Sequence, residues 1–122
     1  MKIFLDDLYE TQRASQIPAG YIGVKNFDEF KELLEDTLQK GEKIEGISFD
    51  NDLGEGEKEG WEIAKWLTDV HPEIFEGQPE LFIHSANPSG RERIDNYLKR
   101  GQEHFRELIE AKNLPDPWGE MK

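Results

Sequence analysis

Three short apolar runs in this chain each break off at groups that can do chemistry. Ile47-Ser48-Phe49 stops at Asp50-Asn51-Asp52, Ile3-Phe4-Leu5 stops at Asp6-Asp7, and Leu81-Phe82-Ile83 stops at His84-Ser85-Ala86-Asn87. A hydrophobic strand whose carboxyl end turns polar is how a buried parallel sheet presents a site. Neighbouring strands lie about 4.8 Å apart, so strands side by side would gather four carboxylates, an imidazole and a hydroxyl on one rim. Carboxylates packed that closely repel, and either one stays protonated or a cation joins them. Asp6, Asp7, Asp50 and Asp52 are therefore the expected metal ligands, with Mg²⁺, or Mn²⁺ in its place, as the ion. Hard oxygen donors suit such an ion, which commonly keeps waters and a substrate phosphate. The plainer alternative is that aspartates after strands cap turns and face water; two strands ending in acidic pairs weigh against it. The loop from Asp50 also opens like an EF-hand, but its twelfth position is Trp61 rather than glutamate and a strand precedes it, so that reading is rejected.

The run from His84 to Arg91 suggests a second half to the site. A helix opening near Asn87-Pro88 would aim free amides around Ser89, Gly90 and Arg91 at the rim, a natural anion site. Gly90 permits close approach, Arg91 and Arg93 add charge, Ser85 and Asn87 can hold phosphate oxygens, and His84 can act as general acid or base. The competing explanation is an ordinary helix cap with a buried, hydrogen-bonded histidine. His71 before Pro72 reads as a helix stop, His104 as exposed and without a role, and Trp61 and Trp66 as core or edge packing.

These groups need a scaffold that brings strand ends together. Strands are expected over residues 2–5, 21–24, 46–50 and 80–84, with Gly54 and Gly56 turning the backbone after the third. Phe27, Phe30, Leu33, Leu34 and Leu38 recur at helical spacing, with Asn26 as cap and Lys40-Gly41 as end; Trp61, Ala64, Trp66, Leu67 and Val70 make a second helix. A third begins at Pro88 and carries Ile94, Tyr97, Leu98, Phe105, Leu108 and Ile109, with Gly101 placed to kink or divide it. Residues 8–20 read as loop and 73–79 as a connection. The order is α/β: a flavodoxin- or receiver-like three-layer sandwich around a mostly parallel four-stranded sheet of order 2-1-3-4, with right-handed crossovers placing helices on both faces. One domain is expected over residues 1–112, followed by a tail at 113–122 in which Trp118 can pin the chain.

Composition limits the partners. The 122 residues carry a net charge of −12, which repels phosphate backbones and argues against a nonspecific nucleic-acid surface. A small phosphorylated ligand held through a divalent metal remains compatible with that charge. The chain has no cysteine, so disulfides and thiolate metal sites are excluded. No stretch approaches the roughly 20 apolar residues that span a bilayer, and the charged start lacks the features of a signal peptide; a cytoplasmic protein away from membranes is expected.

The acidic pair Asp6-Asp7, Asp50 ending the third strand and Ser85 ending the fourth resemble the scheme of response-regulator receiver domains. A fifth strand ending in lysine, which that pattern requires, is missing. Ile3-Phe4-Leu5-Asp6-Asp7-Leu8, Ile47 to Gly54 and His84-Ser85-Ala86-Asn87-Pro88 with Gly90-Arg91 more closely resemble the receiver-derived family named for cyclic-phosphate processing. Its members often carry histidine between the two aspartates of the third strand, where this chain has Asn51. The resemblance implies action on cyclic phosphates, either on nucleotides or at the phosphate ends of RNA. The sequence thus suggests a metal-dependent phosphoesterase with His84, Asp50 and Asp52 as catalytic groups and Ser85, Asn87, Ser89, Gly90 and Arg91 around the phosphate. A signalling receiver phosphorylated on Asp50, or a module that binds a phosphorylated ligand without turnover, are the alternatives.

Overall fold

Strands β1 (Lys2–Leu5), β2 (Tyr21–Val24), β3 (Gly46–Phe49) and β4 (Glu80–Ile83) pair in parallel in the order β2-β1-β3-β4. The computed structural model describes residues 1–7 and 17–114; residues 8–16 of the expected loop and 115–122 of the expected tail, with Trp118, lie outside them. All four strands fall where the apolar runs place them, but β3 and β4 stop one residue early. Asp50 and His84 are thus the first residues beyond their strands.

Helix α1 (Phe27–Gln39) starts as its sequence requires: Asn26 Oδ1 accepts the Glu29 N–H at 3.0 Å, and Asp28 and Glu29 sit at the positive end of the helix dipole. Helix α2 (Gly60–Val70) ends at His71, where Pro72 cannot continue the ladder. The expected plain connection is instead a six-residue 3₁₀ helix, Pro72–Gly77, which buries Ile74 and Phe75. His71 does more than stop a helix. Its Nε2 lies 2.9 Å from Glu35 and its Nδ1 3.2 Å from Glu73, while Lys112 donates to Glu73 at 3.0 Å. Burial pushes the Glu73 carboxyl up, but hydrogen bonds from its own backbone, Lys112 and His71 hold it below its usual value.

Helix α3 (Pro88–Asn113) runs one residue past the expected domain limit and is not divided at Gly101. Gly101 is helical and buried, and a Cβ there would strike the Phe75 ring. Its smallness admits Phe75 of the 3₁₀ helix rather than bending α3. The break falls at His104 (φ −126°, ψ 18°), just beyond Gly101, the last buried position of α3.

Residues alternate across the sheet. Ile3, Leu5, Ile47 and Phe49 are wholly buried and share one core with Phe30 and Leu34 of α1, Ile63 and Leu67 of α2, and Ile94 and Leu98 of α3. The opposite face carries Lys2, Phe4, Ser48, Glu80 and Phe82, the last 51% exposed, with Lys2 and Glu80 paired at 3.6 Å. The helices expected on both faces are therefore found on one, among the described residues. Connections β2-α1-β3 and β3-α2-β4 step in the same direction across the sheet, and right-handed crossovers then put α1 and α2 on the same side. The link from β1 to β2 steps the other way, and its described residues contain no helix.

Candidate functional site

The register of the sheet builds the site. Leu5, Phe49 and Ile83 pair across β1, β3 and β4, so the next residues, Asp6, Asp50 and His84, form one row at the carboxyl edge. The ladder extends into that row: the N–H of Asp6 donates to Val24, that of Asp50 to Leu5 and that of His84 to Phe49, at 2.9–3.0 Å. One ligand atom from each of these three side chains lies within 4.8 Å of the other two. Asp6 is fully buried, Asp50 is 8% exposed and His84 is half-buried.

His84 is held on three sides. Its Nδ1 shares a 2.7 Å hydrogen bond with Ser48 Oγ, its ring stacks on Phe4 with centroids 4.4 Å apart, and Nε2 lies 3.3 Å from Asp6 Oδ2. All these groups belong to the same face, because Phe4 and Ser48 precede Asp6 and Asp50 by two residues. Ser48 and Phe4 lie inside the apolar runs, and the sequence alone assigns them no role. A lone serine inside the buried run Gly46-Ile47-Ser48-Phe49 was the available signal, since a buried hydroxyl requires a partner.

The other expected site residues stand around this row in different ways. Asp52 is exposed, and its Oδ1 accepts the side-chain amides of Asn51 and Asn87, both at 3.3 Å. Asp7 is half-buried with its carboxylate beside Gly54, which turns the chain at φ +107°. The start of α3 is already capped: Asn87 Oδ1 accepts the Gly90 N–H at 3.1 Å and the Ser89 hydroxyl at 3.0 Å, and the Arg91 N–H donates to the Asn87 carbonyl. The free amides expected at Gly90 and Arg91 are thus engaged, because the cap uses the donors an anion would want. Ser85 is buried and its Oγ accepts the Asn87 N–H; Arg91 Nη1 braces the same turn by donating to the carbonyls of Ile83 and Ser85, each at 3.0 Å. Arg93, expected to add charge to the phosphate side, lies instead over the Trp61 indole at 4.9 Å.

Asn51, between the two aspartates that follow β3, is a buried clamp. Its Oδ1 accepts the Trp61 N–H at 3.1 Å, its Nδ2 donates to Glu59 at 3.1 Å, and its backbone carbonyl accepts the Gly60 N–H at 2.8 Å. Two glycines make room for it. A Cβ on Gly60 would strike the Asp50 carbonyl, and one on Gly90 would strike the Asn51 side chain. The closeness anticipated at Gly90 is thus an approach of protein to protein. Gly60→Ala is expected to cost about 1–3 kcal/mol through overpacking, measured by urea denaturation. Full retention of stability would mean that α2 is not seated against the Asp50 turn.

Two carboxylates and an imidazole at this spacing suit a small divalent cation. Oxygens bound about 2.1 Å from an octahedral ion stand roughly 3–4.2 Å apart, and the nitrogen in the set favours Mn²⁺ over Mg²⁺. No helix among the described residues is long and apolar enough to cross a membrane. Comparison with curated proteins and with solved structures gives no match. A family model for the cyclic-phosphate processing receiver domain matches residues 1–100. That span contains all four strands and every residue of the rim, and on this ground the chain belongs to the cyclic-phosphate processing receiver domain family.

Proposed function

We propose that this domain opens cyclic phosphodiesters at the rim of its sheet in a metal-dependent hydrolysis. The observation that carries the proposal is the single row of Asp6, Asp50 and His84 in a chain of the cyclic-phosphate family. Asp6 and Asp50 hold Mg²⁺ or Mn²⁺, with Asp7 and Asp52 at its margin; when bound, the ion supplies charge to the phosphoryl group and a more acidic water. The chain's own groups do the rest. The Ser85 hydroxyl, the Asn87 amide and the guanidinium nitrogens of Arg91 turned from the backbone hold phosphate oxygens, with Ser89 and Gly90 shaping the turn. Water adds to phosphorus, one ring P–O bond breaks, and the leaving oxygen takes a proton. His84, fixed at Nδ1 by Ser48, holds that proton at Nε2.

A panel of cyclic and linear phosphodiesters, followed by phosphorus NMR with and without Mn²⁺ or Mg²⁺, tests the proposal. Ring opening to a monoester only in the presence of metal is the expected result. Affinity without turnover would replace it with a binding module. An acetyl phosphate adduct in the intact mass, absent from Asp50→Asn, would replace it with a signalling receiver; the sheet of the described residues has four strands and no fifth-strand lysine, so none is expected.

A further inference from the structure

Between them, α2 and α3 carry a cluster that the proposed hydrolysis does not use. Trp61 and Tyr97 are nearly parallel, their rings 15° apart in tilt and their centroids 6.4 Å apart, and the Arg93 guanidinium lies 4.9 Å above the indole. With Asn96 they line a cavity of about 440 Å³. Arg93 is exposed and has no ion pair among the described residues, in a chain with 27 acidic side chains and a net charge of −12. By contrast, Arg91 is anchored through Nη1 to two backbone carbonyls of the rim turn, and Arg100 pairs with Asp69. The indole Nε1 of Trp61 is buried and finds no acceptor among the described residues. Trp61 is tied to the rim through Asn51, which follows Asp50, accepts the Trp61 N–H and packs against Gly90 of α3.

From this juxtaposition we propose that Trp61, Arg93 and Tyr97 form a nucleobase subsite, so that the phosphate taken by the rim belongs to a nucleoside. The inference rests on the phosphoester reading of the rim and narrows its substrate class. A purine or pyrimidine face stacks on an indole or on a guanidinium plane without regard to sequence. Asn96 offers an amide to the base edge, and Arg93 adds a positive charge and a planar face. A base-free phosphate would gain nothing from these groups. A free nucleotide and the last nucleotide of an RNA chain present the same base and phosphate, and the subsite is built for that shared unit.

Calorimetric titration in millimolar Mn²⁺ with two ring-opened monoesters, which the site does not turn over, tests the subsite. One is adenosine phosphorylated on a vicinal ribose hydroxyl, and the other is glycol monophosphate, with no base. The nucleotide is expected to bind about tenfold or more tightly, the size of one base stack, and to change an indole emission that is missing in Trp61→Phe. Arg93→Ala should bring the nucleotide down to the glycol ester and leave the glycol ester unchanged. Arg93→Lys, which keeps the charge and loses the plane, should not restore the difference. Equal binding of the two esters to the parent, or full restoration by lysine, would overturn the subsite and leave the rim reading standing. If neither ester binds, the rim reading falls and takes the subsite with it. A short RNA ending in the same monoester separates the two sources: tighter binding than the mononucleotide assigns an RNA end, equal or weaker binding a free nucleotide, and each supports a base subsite.

Discussion

His84→Ala is expected to lower kcat for cyclic phosphodiester opening by about 10²–10⁴-fold, the range for loss of a positioned acid or base. Substrate affinity should change far less, because the proposed phosphate contacts come from the β4–α3 turn rather than from His84. The expectation rests on how the ring is fixed: Ser48 at Nδ1, Phe4 beneath the plane and Nε2 toward the Asp6 carboxylate. Ser48→Ala keeps the imidazole but loosens it, so a smaller fall in kcat at similar KM is expected. The same geometry favours a second role for His84, as a third metal ligand beside Asp6 and Asp50. Metal titration of His84→Ala divides the two roles. A proton carrier leaves the metal-induced rise in Tm in place, whereas a ligand takes most of that rise with it. A His84→Ala variant that turns over cyclic phosphodiesters like the parent would remove His84 from the chemistry and leave it as a packing group on Phe4.

Millimolar Mn²⁺ or Mg²⁺ is expected to raise the Tm, since an ion bound only by the native state stabilises it by RT ln(1 + [L]/Kd). At a hundredfold excess over Kd that is about 2.7 kcal/mol. The effects of the variants should differ in sign. Without metal, Asp50→Asn should raise the Tm, because it removes one of two adjacent buried carboxylates. With metal, the same variant should lose the response, and Asp6→Asn should behave alike. Asp52→Asn should keep most of the response, because Asp52 is exposed and its Oδ1 already accepts two amides. A metal response that survives Asp6→Asn combined with Asp50→Asn would place the ion elsewhere and remove the basis of the hydrolysis.

The parallel sheet of order 2-1-3-4 and the rim were legible in the sequence because both depend on local pattern. Each apolar run of about four residues is too short for a helix and reads as a strand, and Asp6, Asp50 and His84 each follow such a run immediately. Once the runs pair in phase, the residues after them must share a row. The caps at Asn26 and Asn87 were equally legible, since a side-chain oxygen beside a helix start satisfies amides within three residues of itself.

What only the tertiary structure decided depends on groups far apart in the chain. Asp6, Asp50 and His84 stand out from the larger set of polar residues because strand alternation directs them, with Phe4 and Ser48, to one side of the sheet edge. Asp52 is instead turned out among amides. Asn51 became a clamp, and Gly60, Gly90 and Gly101 became indispensable, because backbone or side chains from other elements press against them. Nothing in the neighbouring sequence encodes such steric contact. The helices lie together on one face because chain direction and crossover handedness act on whole connections rather than on the composition of any segment. Arg93 went to Trp61 rather than to the phosphate side for a similar reason. Their stacking depends on the packing of α2 against α3, a relation between two helices that neither sequence carries alone.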